Sequence, residues 1–99
     1  MTVAIPRIPA ASVEYLKVPI SAYPAGVALD DLPVELAVVP DGQTPTGGDW
    51  ETGLWIDDNA AVLIGTGGLV LTPGTYDVWV RITATPETPL LPAGSIHII

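Results

Sequence analysis

The chain has 99 residues, a formal net charge of −8, no cysteine, 11 Pro and 10 Gly. The length suits one domain, the Pro and Gly content excludes a helical bundle, and glycines without a period of three exclude collagen. With Arg7, Lys17 and Arg81 as its only basic side chains, the protein has no cluster of cations for a phosphate backbone, so no nucleic-acid partner is expected.

In chain order, residues 1–11 (MTVAIPRIPAA) read as an extended arm punctuated by Pro6 and Pro9. Their short apolar runs lack the core of a secretory leader. Residues 12–18 alternate as a first strand, with Val13, Tyr15 and Lys17 on one side and Glu14, Leu16 and Val18 on the other. Residues 26–30 follow as a short second strand after the Ala25-Gly26 turn, and Asp30-Asp31 is a break. Residues 34–39 alternate again, with Val34, Leu36 and Val38 inward and Glu35, Ala37 and Val39 outward.

The segment 40–49 (PDGQTPTGGD) is a turn cluster. Residues 50–56 form a strand with Gly53 as a candidate bulge. Asp57-Asp58-Asn59 turns the chain into an apolar strand at 60–64, and Gly65-Thr66-Gly67-Gly68 turns it again before a short strand at 69–71. Residues 75–83 (TYDVWVRIT) give the clearest strand. A proline-punctuated loop at 85–92 and a last strand at 94–99 complete the chain. About seven short strands with turn signals every 8 to 12 residues predict an all-β fold, a single Ig-like or fibronectin III-like antiparallel β-sandwich over 12–99 preceded by the extended arm 1–11. A small barrel is the alternative.

The segment Thr72-Pro73-Gly74-Thr75-Tyr76 locates that fold. A Pro73-Gly74 turn followed by Tyr76 on an alternating strand is similar to the corner of Ig-like domains, where a tyrosine hydroxyl bonds to upstream backbone. This sets Tyr76, Val78, Val80 and Ile82 inward, and Asp77, Trp79, Arg81 and Thr83 outward. On the last strand Ile96 and Ile98 point inward and His97 outward, so Trp79 and His97 share a face if the two strands are neighbours. Trp79 is then either an interface anchor or covered by its own chain. Trp50 and Trp55 fall on opposite faces of a regular strand, or on one face if Gly53 bulges. One fills the core, or a stacked pair makes a sugar platform.

No set of residues supports catalysis. His97 is the sole histidine, and neither a metal centre nor a nucleophile triad can be assembled around it. Asp30-Asp31 and Asp57-Asp58-Asn59 read as turn formers, with no calcium loop among them. Gly65-Thr66-Gly67-Gly68 lacks the lysine and helix of a phosphate loop. The expected reading is a protein that is not an enzyme, with no catalytic, cofactor-binding or metal-binding residues and no cofactor.

The composition points to association. The chain is 48% hydrophobic and 14% charged, against about 25% charged in an average domain, and its mean hydropathy is +0.48. Small domains have the most surface per residue, so part of this apolar content must lie outside, as contact surface. No apolar run approaches a spanning helix, and no membrane partner is expected.

The second half carries Gly48-Asp49-Trp50, Trp55, Val62-Leu63-Ile64-Gly65 with Gly67-Gly68, the segment 71–82, Thr85-Pro86-Glu87-Thr88-Pro89 and Pro92-Ala93-Gly94-Ser95-Ile96. Over about residues 45–99 this pattern resembles small virion structural proteins of tailed phages of actinobacteria. The resemblance implies an Ig-like sandwich mounted on a head or tail, located in the virion after assembly in the host cytoplasm. The expectation is a capsid decoration or cement protein that stabilises the head by binding the major capsid protein. A head–tail connector or tail component and a carbohydrate-binding module on the virion surface are the alternatives. The expected partners are the major capsid protein, another virion subunit or a second copy of the chain. The expected contacts are Val3, Ile5 and Ile8 of the arm, with Trp79 and His97.

Overall fold

The computed structural model describes residues 6–20 and 29–99. Eight strands form within them: β1 (Arg7–Ile8), β2 (Glu14–Pro19), β3 (Val34–Pro40), β4 (Trp50–Thr52), β5 (Leu54–Ile56), β6 (Asn59–Ile64), β7 (Gly74–Ile82) and β8 (Leu90–Ile98). They make a five-stranded sheet in the order β1-β8-β7-β3-β4 and a three-stranded sheet in the order β2-β6-β5. Pairing is antiparallel except for β1 with β8. The two sheets pack as an Ig-like β-sandwich, as the strand pattern and turn spacing predict.

The core follows from alternation. Val34 and Leu36 of β3, Val78, Val80 and Ile82 of β7, and Ile96 and Ile98 of β8 face Ala60, Val62 and Ile64 of β6. Leu16, Val18 and Trp55 pack against the same cluster. No buried residue among those described is polar or charged. The tyrosine corner forms as expected: the Tyr76 hydroxyl donates to Thr72 O at 2.7 Å and lies 3.1 Å from the Thr72 hydroxyl.

Four expectations change. Residues 50–56 are not one strand. β4 belongs to the larger sheet and β5 to the smaller, and the chain crosses at Gly53, whose N–H donates to Val34 O at 2.9 Å. A Cβ there would lie 3.0 Å from Ala61 O and 3.3 Å from Val34 O, so only glycine passes freely between the layers. The expected strand at 26–30 falls partly outside the described residues. Its last two residues, Leu29 and Asp30, open a 3-10 turn, Leu29–Asp31, closed by Leu32 N–H to Leu29 O at 2.9 Å. Residues 69–71 contribute only the bridge of Leu69 to Ile64. The last strand starts earlier than expected, at Leu90, because β8 follows β7 beyond a bulge opposite Val78 and Trp79.

The β5–β6 hairpin shows how local chemistry sets the topology. Asp57 and Asp58 both have positive φ, 48° and 63°, the signature of a type I′ turn, which matches strand twist. Asn59 Nδ2 donates to Ile56 O and Asp57 O, at 2.8 and 3.1 Å. The acidic pairs thus serve as turn formers.

Candidate interaction surface

The outer face of the five-stranded sheet is finished by its own side chains. Ala37 is fully buried there, although alternation sets it outward, because its neighbours in register are Trp50 on β4 and Trp79 on β7. Val39, also expected outward, is only 2% exposed. Arg81 lies 4.4 Å from the Trp50 ring centroid, and its Nε and Nη2 donate to Glu35 Oε1 at 3.0 and 2.8 Å. This cation–π contact and ion pair occupy the indole face that a sugar would need.

Asp77, on the same face, ties three elements together. One carboxylate oxygen accepts from Gly42 N–H at 3.0 Å and the other from the Ser95 hydroxyl at 2.9 Å. These bonds, the backbone one first, hold its carboxyl below the ordinary carboxylate range. A lowered folded pKa means stability that is complete above the ordinary range and is lost as pH falls through it. Asp77→Asn is therefore expected to flatten the loss of melting temperature between about pH 5 and pH 2. Thermal melts of both proteins across that range check it, and parallel profiles would contradict it.

The residues expected as contacts are dispersed. Val3 and Ile5 lie outside the described residues. Ile8, expected to reach a neighbour, is 7% exposed and sits in its own core, because β1 joins the β8 edge and turns Ile8 inward beside Ile98. Trp79 and His97 share the outer face but do not meet: Trp79 is opposite Pro92 and His97 opposite Thr75, four residues back along β7. Trp79 is half-buried, and its Nε1–H is shielded from solvent without an acceptor. Trp55 packs on the core and donates through Nε1 to Leu32 O at 2.8 Å. The tryptophans therefore form no common platform: Trp50 and Trp79 flank Ala37, while Trp55 belongs to the other sheet.

The outer face of the three-stranded sheet differs. A sheet with one wet face alternates apolar and polar residues, whereas strands covered on both faces read as continuous apolar runs. β5 reads Leu-Trp-Ile and β6 reads Asn-Ala-Ala-Val-Leu-Ile. Register places Tyr15 beside Leu63, Lys17 beside Ala61, and Ala61 beside Leu54, all facing away from the core, with Ala61 itself fully covered and the larger side chains around it open to solvent. Tyr15 is 44% and Leu54 42% exposed. Val13, two residues before Tyr15, is more exposed still. Lys17 is the one charge of β2 on this face. Sequence reading missed this surface, although the unbroken run at 60–64 carried the signal.

Among the described residues no group of three His, Cys, Asp or Glu side chains is placed to hold a metal ion. Comparison of the chain with protein-family models, curated proteins and solved structures gave no match.

Proposed function

We propose that this protein is a non-enzymatic structural component of a tailed-phage virion, a decoration or cement protein that docks on the head. The observation that carries the reading is the exposed apolar group of Val13, Tyr15 and Leu54 on the outer face of β2, β6 and β5. A small sandwich that lives alone gains nothing from a second apolar face, whereas a subunit in a symmetric lattice hides it against neighbours. The charge distribution supports this. Glu51 borders the face beside Tyr15 and Leu54, and the acidic turn Asp57-Asp58 lies at the end of the sheet, where its repulsion limits indiscriminate self-association. Many copies bound across subunit junctions stabilise a shell by mass action.

Sedimentation of the purified chain with heads of the phage that encodes it tests the reading. Saturable binding at hundreds of copies per head is expected. Saturation at about six or twelve would move the protein to the head–tail connector, and absence of binding would remove it from the head.

A further inference from the structure

We propose that the cleft between β2 and β8 is a strand-acceptor site, filled by residues 1–5 of a second copy of this chain. The inference rests on the lattice reading for its setting and adds how one copy grips the next.

The two sheets do not close along this side. A cleft of about 470 Å³ lies between them, lined by Leu16 and Val18 of β2, Val78 of β7, Ile96 of β8 and, at its mouth, Pro6. It continues beside Ile20 and Leu91 as a further 340 Å³. Among the described residues both flanking strands have an unpaired edge. β2 bonds only to β6, and β1 covers β8 only at His97 and Ile98, which leaves Leu90 to Ser95 without a second partner among the described residues. Free edges beside an apolar cleft are what an added strand uses, its backbone bonding the edge and alternate side chains filling the cleft.

The occupant's chemistry follows from the lining. The only charge there is Lys17, with no carboxylate, so another copy of a chain with net charge −8 meets least repulsion here. Residues 1–5, MTVAI, carry no side-chain charge and set Val3 and Ile5 two apart, the spacing that puts both on one side of a strand. Five extended residues reach about 16 Å, close to the roughly 20 Å of a six-residue strand such as β2.

Pro6 interrupts any continuation of the β1–β8 ladder toward the N-terminus. His97 N–H donates to Pro6 O at 2.9 Å, and Ile99 N–H to Ile8 O at 2.9 Å. The next rung toward the N-terminus needs an N–H from Pro6, which proline lacks. A neighbouring copy approaches free of that ladder, as in exchange of an element between protomers.

Light scattering on the purified full chain over a concentration series tests this without any head. Concentration-dependent association is expected, and removal of residues 2–5 should weaken it at least tenfold. Ala93→Arg, at an exposed position lining the cleft, should do the same with an unchanged melting temperature. A labelled MTVAIP peptide should bind the truncated chain, so the proposal stays testable should the arginine variant misfold. Association unaffected by the truncation overturns the proposal, as does a full chain that stays monomeric. So does a truncated chain that remains monomeric but melts far lower, which would mean that the segment closes its own cleft. None of these outcomes touches the head-binding test, which does not depend on self-association.

Discussion

Gly65→Ala is expected to be among the most damaging single-methyl changes in this protein. Gly65 has φ +98°, and a Cβ there would overlap the Ser12 carbonyl oxygen and lie 2.9 Å from Val13 Cα. Both obstacles are backbone, so no side-chain rotation relieves them. The left-handed conformation costs a residue with a Cβ about 1–2 kcal/mol, and overpacking adds about 1–3 kcal/mol. The loop cannot easily shift, because Gly65 N–H donates to Leu69 O at 2.9 Å and Gly68 N–H to Gly65 O at 3.0 Å. A domain of this size has about 5–15 kcal/mol in total, and each kcal/mol moves its melting temperature by about 4–8 °C. A fall of at least about 10 °C is therefore expected in calorimetry. A variant melting with the parent would show that this loop does not press on the start of β2.

Leu36→Ala should cost a similar amount, about 2–5 kcal/mol. Leu36 is fully buried at the centre of β3, opposite Val80, which is also fully buried. It also fills the space beside the crossing point, since a Cβ on Gly53 would come within 2.5 Å of Leu36 Cδ1. The two positions share one volume, so their effects should not add. In urea titrations Gly53→Ala alone is expected to be strongly destabilising, and less so in the Leu36→Ala background. The backbone contacts at Ala61 O and Val34 O keep that relief partial. Additive losses would mean that the leucine does not define the passage between the sheets.

These positions also show how much the sequence could tell. The sandwich was legible because β7 alternates without interruption and Thr72 to Tyr76 carries a complete corner, both decided within ten residues. The inward set Val78, Val80, Ile82, Ile96 and Ile98 is buried as alternation requires. Gly53 was readable as an irregularity, but bulge and sheet crossing have the same local signature. Only the packing of Leu36 and Ala61 around it separates them. The burial of Ala37 depends on Trp50 and Trp79 arriving from two other strands, a non-local fact that period-two reading cannot supply. Ile8 was misassigned for a similar reason: two residues between prolines are too few to show a pattern, yet they form a parallel rung with β8. The apolar face of β2, β6 and β5 was foreshadowed by composition but not located, because a fully apolar strand does not reveal which of its sides the fold itself covers.

The docking of that face is tested most directly by one substitution that leaves the fold alone. Leu54 is on the short edge strand β5, 42% exposed and turned away from the core, so Leu54→Asp should keep the melting temperature within about 3 °C, as surface changes usually do. Placed in a contact, the same carboxylate would be desolvated without a partner, at a cost of several kcal/mol. Sedimentation with heads should therefore show binding by the parent chain and at least a hundredfold weaker binding by the variant. Equal binding by the two proteins would contradict the assignment of this face, and with it the claim that the sandwich completes its burial only against other subunits.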